Sequence, residues 1–482
     1  MARPRIRLLD HKHAFAGVLL LGLLAMTARS ATDPDLWWHL RTGQWILETG
    51  HIPHADPFSF TRAGSPWISH EWLSEVTFYE LWKIGGMGAL IVFAAVVTTA
   101  GFVLLFLRCR AKPSGAAATV ALGALAAAPA WGVRPQMFTF VLASLMLWLV
   151  ERGERRPWHL LLIPPLFVLW LNLHAGFALG PALLLCIAVG MTWEAASGAT
   201  LWREIRPHWF RVVGVLLACM ALVPLNPSGA QLYRYPLDVL RSPEMRSFIA
   251  EWHPPNFHEV RYLSVLAIWL ALLAACSLPR SRPRARVAVP LALTFLAAFD
   301  AVRHIPIFVL LAVPVIAGIF PAGSQPASPL AGVEPGVRRA FRAAILILMA
   351  GFAVVRWDSL LRAQATVEAE EFPLRATAFL RARPSPERLL AYYDWGGYAI
   401  WRLYPQYRVF IDGRADLYGD EMLREFQTSL RLNNGWKAIL DRWQVESVLL
   451  PASAPLAEGL QVSPDWQAVY RDDKAILFVR RP

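Results

Sequence analysis

The chain has 482 residues, of which 56% are hydrophobic and 17% are charged, and its formal net charge is +12. A soluble globular protein is nearer half apolar and one quarter charged. The apolar residues form blocks of about 15–22 residues, the length that crosses the ~30 Å hydrocarbon core of a bilayer. The composition therefore excludes an ordinary soluble domain and predicts a polytopic α-helical membrane protein.

The positive charge does not indicate nucleic-acid binding, because most Arg and Lys residues lie in short loops between the apolar blocks. Such loops are typical of membrane topology rather than of a partner site. The four cysteines show no disulfide framework and no zinc-ligand spacing. They are Cys109, Cys186, Cys219 and Cys276.

The first apolar run covers residues 14–28 and follows a basic N-terminus. Its short length and the small residues at 28–31 are compatible with a signal peptide. We expect it to be retained as the first of about eleven spans, because many similar blocks follow. Those blocks lie near 86–107, 116–133, 136–150, 158–172, 176–193, 211–225, 262–278, 287–302, 304–320 and 340–356.

Six segments are dense in Arg and Lys, and with eleven spans they all fall on one side of the membrane. The positive-inside rule identifies that side as the cytoplasm. The segments are the N-terminus with Arg3, Arg5, Arg7 and Lys12, and those at 108–112, 152–156, 203–211, 280–286 and 338–342.

The opposite side receives the long hydrophilic pieces. A helical domain over 1–357 would carry a first outer loop at 31–85, with interfacial helices, and a third outer loop at 226–261. The sequence pattern of the tail, 358–482, predicts an extracytoplasmic α/β domain. Its strands are expected at 388–393, 408–411 and 447–450, a hairpin at 467–479, and helices at 396–403, 420–432 and 435–443.

Polar residues that topology does not explain also fall on the outer side. Ionisable groups near a bilayer are costly and usually functional. Their shared side predicts one site, open to the outer face and lined by several helices. They are Asp33, Asp35, His70, Glu71, Arg134, Gln136, Asn172, His174, Asn226, Glu251, Arg303 and His304.

Each of these residues also has a structural interpretation. Asp33 or Asp35 could cap the helix that follows. Arg134 could extend to the headgroups, and Asn226 could end a helix in an Asn-Pro turn. Arg303 could pair with Asp300, three residues earlier on the same helical face.

The segment that follows the first apolar run, 32–45, reads Thr-Asp-Pro-Asp-Leu-Trp-Trp-His-Leu-Arg-Thr-Gly-Gln-Trp. This string is similar to the acidic first-loop motif of aminoarabinose and mannosyl transferases, so the chain resembles the GT-C glycosyltransferase superfamily. The whole chain is similar to a group of uncharacterised bacterial GT-C-like membrane proteins. The strings that carry this second resemblance begin at His70, Trp170, Arg303, Tyr393 and Phe410.

The resemblance implies inverting transfer of a sugar from a polyprenyl-phosphate carrier to a glycan, lipid or protein acceptor. Asp35 is then the expected general base, with Asp33 or Glu71 as alternates. Arg134 and Arg303 are expected to hold the phosphate. The histidines and the remaining outer polar residues are expected to contact substrate.

One departure concerns metal binding. The better-known transferases often have Asp-Glu where this chain has Asp35-Leu36. No cofactor is certain, but a divalent metal is possible, and Asp33 and Asp35 would be its ligands.

The tail motifs at Asp394 and at Asp412-Gly413-Arg414 follow predicted strands, at the edge where open α/β sheets bind ligands. They could bind substrate, or Asp412 and Arg414 could form a structural ion pair.

Two other functions remain open at this point. A transporter or flippase of lipid-linked glycans predicts a polar path through the bilayer and related halves, whereas the inner halves of the spans have little polar character. A non-catalytic envelope-assembly protein would use the tail as a binding module.

Overall fold

A computed structural model describes residues 11–320, 333–382 and 388–481. Arg3, Arg5 and Arg7 of the predicted basic N-terminus lie outside these ranges. Fourteen α-helices, joined by loops and short 3-10 turns, lie in the described chain up to residue 371. They are α1 His11–Thr27, α2 Leu36–Thr49, α3 Trp72–Arg108, α4 Pro113–Ala127, α5 Gln136–Gly153, α6 Ile163–Leu173, α7 Leu179–Ala196, α8 Trp202–Leu222, α9 Tyr235–Arg241, α10 Pro243–Phe248, α11 Leu263–Ser277, α12 Ala285–Asp300, α13 Ile305–Ala317 and α14 Pro335–Glu371.

The described tail alternates helices and strands. Its elements are α15 Leu374–Ala382, β1 Arg388–Ala391, α16 Tyr393–Leu403, β2 Arg408–Val409, α17 Ala415–Leu430, α18 Trp436–Arg442, β3 Ser447–Pro451, α19 Pro455–Gln461, β4 Trp466–Arg471 and β5 Ala475–Arg480. The strand order is β2-β1-β3-β5-β4. β1 pairs in parallel with β2 and β3, whereas β5 pairs antiparallel with β3 and β4. The predicted strands, the hairpin and the α/β character of the tail are confirmed.

Each of the eleven predicted apolar blocks coincides with a helix: α1, α3 to α8 and α11 to α14. In the described part of the chain, six helices are long and apolar enough to cross a membrane, and three shorter apolar helices accompany them. The chain is therefore a polytopic helical membrane protein with a small sheet-containing tail.

Two of these helices extend beyond their predicted blocks. α3 begins at Trp72, and its φ/ψ values are non-helical only at Gly85 and Gly86, where the amphipathic start meets the apolar part. α14 continues to Glu371. The predicted domain boundary after residue 357 therefore falls inside a continuous helix.

The chain divides into two compact units. The helical unit comprises Met1–Arg29, Ile91–Val223 and Glu251–Leu361, and the α/β unit comprises Ser30–Leu90, Pro224–Ala250 and Arg362–Pro482. The first loop and most of the third loop thus belong with the tail, whereas the prediction placed them in the domain over 1–357.

Small residues bring the helices of the helical unit together. A β-carbon at Gly190 of α7 would lie 2.3 Å from the carbonyl oxygen of Ala285, at the start of α12, and one at Gly123 of α4 would lie 2.6 Å from Val313 of α13. Membrane helices commonly use glycine for such close approaches. Residues from four of the predicted basic segments line a single cavity, so those segments share one end of this unit.

In the α/β unit, α2 packs against α16. The Trp37 ring lies 4.7 Å from that of Tyr398 and 5.2 Å from that of Phe372, edge to face in both cases. A β-carbon at Gly397 would lie 2.7 Å from the carbonyl oxygen of Pro34. The acidic segment at the start of the first loop is therefore built directly onto the tail.

Candidate functional site

A carboxylate–histidine cluster lies inside the α/β unit, formed by His39, His70, Glu71 and Glu75. His39 Nε2 is 3.6 Å from Glu71 Oε2, and its Nδ1 is 3.7 Å from Glu75 Oε1. His70 Nε2 is 3.1 Å from Glu71 Oε1. All four residues are buried. The helical spacing of Glu71 and Glu75 places both carboxylates on one face, toward His39.

Asn226 belongs to the same neighbourhood, because its side-chain amide donates to the His70 carbonyl oxygen at 3.2 Å. The His70 ring lies 4.5 Å from the Tyr235 ring, and the Tyr235 hydroxyl donates to Asp416 Oδ2 at 3.1 Å. The first loop, the third loop and the tail therefore each contribute polar groups to one cluster. Sequence reasoning brought His70, Glu71 and Asn226 to one side but missed His39, Glu75, Tyr235 and Asp416.

Both histidines of this cluster favour their protonated forms. Burial alone would lower the pKa of His39, but Glu75, Glu71 and Asp35 outweigh burial and raise that pKa above its ordinary value of 6.5. Burial is also the largest influence on the pKa of His70, yet Glu71 and Asp416 raise the net value. The imidazolium groups thereby hold the Glu71 carboxylate in place.

The two predicted aspartates differ in their local roles. Asp33 Oδ1 accepts the backbone N–H of Asp35 at 2.9 Å, so Asp33 shapes the turn into α2. Asp35 occupies the N-cap position of α2 but makes no side-chain capping hydrogen bond. Its Oδ1 accepts from Trp38 Nε1 at 3.2 Å. Helix capping therefore does not explain why an aspartate occupies position 35.

The tail touches Asp35 directly. A β-carbon at Gly413 would lie 1.7 Å from Asp35 Oδ1, so only glycine leaves room for this carboxylate. The hydroxyl of Tyr393 is buried and has no hydrogen-bond partner among the described residues. Burial, and then the charges of Asp35 and Asp412, raise the Tyr393 pKa well above its ordinary value. A neutral phenol that can donate a hydrogen bond thus lies within electrostatic range of Asp35.

Two cavities open within the α/β unit. One of about 380 Å³ is lined by Pro34, Asp394 and Trp395, among others. Desolvation and the neighbouring Asp33 raise the pKa of Asp394. The other, of about 700 Å³, is lined by Trp67, Tyr235 and Asp416 and continues along the third loop. Both have the mixed polar and aromatic lining that suits a sugar.

Arg414 and Asp412 form a buried ion pair. Arg414 donates from Nε and Nη2 to Asp412 at 2.8 and 2.7 Å, and from Nη1 to Asp56 at 2.8 Å. Tyr418 adds a hydrogen bond to Asp412 at 2.5 Å. The guanidinium lies 4.6 Å from the centre of the Trp67 ring and is 1% exposed. Of the two interpretations of this tail motif, the geometry favours the structural ion pair.

In the helical unit, Arg134 and Arg303 converge on Glu251. Arg134 Nη1 is 2.9 Å from Glu251 Oε2, and Arg303 Nη1 is 3.2 Å from Glu251 Oε1. Burial would raise the Glu251 pKa, but the two arginines outweigh it and lower that pKa. We call these three residues the Arg–Glu–Arg cluster. It carries one net positive charge, and its side chains are 22–25% exposed.

His174 lies near this cluster, because its charge contributes to the lowered pKa of Glu251. His174 Nδ1 is 2.7 Å from the hydroxyl of Thr139, which also accepts from Trp170 Nε1 at 2.8 Å. The Arg303 guanidinium lies 4.2 Å from the centre of the Trp252 ring. Three helix-connecting turns therefore meet at one end of this unit.

The other predicted residues of the helical unit have more local surroundings. Asn172 donates to the Val168 carbonyl oxygen at 2.8 Å, within its own helix. His304 Nδ1 lies 3.1 Å from the Ala297 carbonyl oxygen. The Gln136 side-chain carbonyl oxygen is buried without a partner among the described residues. Of the three, Gln136 has the clearest capacity to accept a ligand hydrogen bond.

A preformed metal centre is not evident in the described residues, since no group of three or more His, Cys, Asp or Glu side chains is arranged to hold a metal ion. That Asp33 and Asp35 would hold a divalent metal stays a prediction from the sequence.

The chain has the fold of the GT-C glycosyltransferases. ArnT from Cupriavidus metallidurans, solved bound to undecaprenyl phosphate, aligns with a TM-score of 0.51 at 14% identity, over 96% of this chain and 97% of ArnT. Archaeal oligosaccharyltransferase AglB from Archaeoglobus fulgidus, solved with an inhibitory peptide and a dolichol-phosphate, aligns with a TM-score of 0.52 at 11% identity, over 91% of this chain and 69% of AglB.

Arabinofuranosyltransferase AftD from Mycobacteria aligns with a TM-score of 0.52 at 15% identity, over all of this chain and 40% of AftD. No protein-family model and no curated protein sequence matches the chain. At these identities the similarity establishes the fold alone.

Proposed function

We propose that this protein is a membrane glycosyltransferase that moves a sugar from a polyprenyl-phosphate carrier to an acceptor at the outer leaflet of the bacterial cytoplasmic membrane. The observation that carries the proposal is the Asp35 carboxylate, which is fixed between Trp38 and Gly413 in a chain with the GT-C fold. ArnT and AglB were solved with undecaprenyl phosphate and a dolichol-phosphate, which supports a carrier of that chemistry.

Asp35 is the proposed general base. It removes the proton from the acceptor hydroxyl as that oxygen attacks the anomeric carbon, and the polyprenyl phosphate leaves from the opposite face. Such help is worth ~10²–10⁴-fold in rate. The Trp38 indole and the Gly413 backbone fix the orientation of the carboxylate, which a base needs before the substrate arrives. A single displacement of this kind inverts the anomeric configuration.

Arg134 and Arg303 are the proposed ligands of the carrier phosphate. Glu251 holds both guanidinium groups while neutralising only one of their two charges. The remaining positive charge attracts a phosphate, and a guanidinium matches phosphate oxygens in two parallel hydrogen bonds. Stabilisation of the departing phosphate is electrostatic, as in other sites where charge develops.

The acceptor is proposed to occupy the cavity of about 700 Å³ beside Tyr235 and Asp416. Aromatic faces and carboxylates together are suited to sugar hydroxyl groups, so we favour a glycan or glycolipid acceptor over a peptide. Glu71, held by His39 and His70, is proposed to position the substrate and not to act as the base.

Purified protein in proteoliposomes tests this function. It is supplied with a panel of polyprenyl-phosphate sugars and acceptor glycolipids, and release of polyprenyl phosphate is followed. The wild type should consume one donor, and Asp35→Asn should reduce the rate by ~10²–10⁴-fold. Asp441→Asn removes an exposed carboxylate of the same unit that lines neither cavity, and is the matched control.

Unchanged transfer by Asp35→Asn would remove Asp35 as the base. Movement of intact donor across the bilayer without release of polyprenyl phosphate would indicate a flippase and contradict the transferase. Binding of glycan without either activity would favour an assembly protein.

A further inference from the structure

A further polar cavity, of about 410 Å³, lies in the helical unit at the end where the basic segments meet. Six arginines line its polar wall, and the only carboxylates in the described lining are Glu151 and Glu154. The arginines are Arg108, Arg110, Arg280, Arg282, Arg284 and Arg286. We call this the basic cavity. α5 separates it from the Arg–Glu–Arg cluster, since the 15 residues from Gln136 to Glu151 span ~22 Å of helix.

Two of the six arginines are fixed by carboxylates. Arg108 Nη2 is 2.9 Å from Glu151, and Arg286 is 2.8 Å from Glu154 and 2.5 Å from Glu194. The other four have no carboxylate within 4.0 Å among the described residues. Arg280 and Arg282 donate only to backbone carbonyl oxygens. The cavity therefore keeps a surplus of positive charge that the described protein does not neutralise.

Two buried polar groups in the lining lack partners. His208 Nδ1 and Ser281 Oγ make no hydrogen bond among the described residues, although these residues are 8% and 7% exposed. Buried polar atoms in native proteins are nearly always satisfied, so each such exception calls for a ligand or water. Both groups line the basic cavity, on α8 and on the α11–α12 connection.

The rest of the wall is apolar. Leu147 and Val150 of α5, Ile187 of α7, and Leu311 and Val315 of α13 line the same space. A small inorganic anion gains no binding energy from an apolar wall. A lipid, in contrast, can place its charged headgroup against the arginines and its acyl chains against the apolar residues. Basic pockets between membrane helices are a known form of lipid-headgroup site.

We propose that the basic cavity binds the phosphodiester headgroup of an anionic membrane lipid. Arg280, Arg282 and Ser281 donate to the phosphate oxygens, His208 supplies a further polar contact, and the acyl chains lie along the apolar wall. The bound lipid contacts six helices, α3, α5, α7, α8, α12 and α13, and stabilises the helical unit. This site is separate from the proposed donor and acceptor sites, and it does not depend on the proposed function.

The test uses full-length protein purified and delipidated in detergent. Phosphatidylglycerol, phosphatidylcholine and inorganic phosphate are titrated separately, with the unfolding temperature and native mass spectrometry as readouts. Phosphatidylglycerol should bind and raise the unfolding temperature, whereas phosphatidylcholine and inorganic phosphate should not. Arg280→Gln/Arg282→Gln should weaken that binding roughly 30-fold, which is about fivefold per arginine.

Arg203→Gln/Arg206→Gln is the matched control, because it removes the same charge from exposed positions of a neighbouring basic segment. Ser281→Ala tests the cavity without changing charge and should also weaken binding. Equal loss in the control would reduce the effect to general surface charge and overturn the proposal. Equal stabilisation by inorganic phosphate or by phosphatidylcholine would overturn the lipid assignment.

Discussion

Replacing Arg414 with methionine should destabilise the α/β unit strongly. Arg414 is 1% exposed and makes three charge-assisted hydrogen bonds of 2.7–2.8 Å to Asp412 and Asp56, whose side chains are 0% exposed. The methionine would fill the space but leave two buried carboxylates without their cation. Removing one partner of a buried ion pair typically costs ~3–5 kcal/mol, and here two acids lose the same partner.

The unfolding temperature of the purified protein measures this effect. At ~2–4 °C per kcal/mol for a unit of this size class, Arg414→Met should lower it by about 6–20 °C. Arg408→Met is the control, because Arg408 is an exposed residue of β2.

Equal unfolding temperatures for Arg414→Met and Arg408→Met would contradict a stabilising role for this buried ion pair. A substrate-binding role for Arg414 makes a different prediction, namely lost transfer at temperatures where the variant remains folded. Arg414→Lys should be intermediate in stability, because one ammonium cannot reproduce the planar fork that bridges Asp412 and Asp56.

Three further predictions concern Asp35, the Arg–Glu–Arg cluster and the carboxylate–histidine cluster. Gly413→Ala should reduce transfer about 100-fold by displacing the Asp35 carboxylate, whereas Gly351→Ala, which meets open space, should have no such effect in the same assay. Arg303→Gln should raise the donor KM about tenfold through loss of a charged hydrogen bond, measured by donor titration. Because the pKa of His70 is raised, its protonated form stabilises the folded protein. This contribution should be complete below about pH 6.5 and lost as the pH rises further. When the unfolding temperature is measured against pH, His70→Asn should flatten that dependence.

Local sequence patterns predicted much of the fold. The length and apolarity of the blocks located eleven helices, and alternation around Asp472-Asp473-Lys474 located the last hairpin. These signals are local because a helix or strand buries a face that its own sequence defines. The same reasoning placed Arg134, Glu251 and Arg303 in separate turns, and the structure brings them into contact.

Long-range partnerships were beyond local patterns. Asp56 and Arg414 are 358 positions apart, and nothing near either residue indicates the other. His39 was missed because its role depends on Glu71 and Glu75 across the first loop. The first loop contacts the tail where Gly413 lies against the Asp35 carboxylate. No local sequence pattern near either residue predicts this contact.

The anomeric configuration of the product tests the central claim most directly. Purified protein is incubated with a polyprenyl-phosphate sugar of defined anomer and an acceptor glycolipid, and the anomeric proton of the product is observed by NMR. A transferase that uses Asp35 as its general base should form a new glycosidic bond of inverted configuration, at a rate that depends on Asp35. A product of retained configuration, or donor that stays intact in the presence of active folded protein, would contradict it.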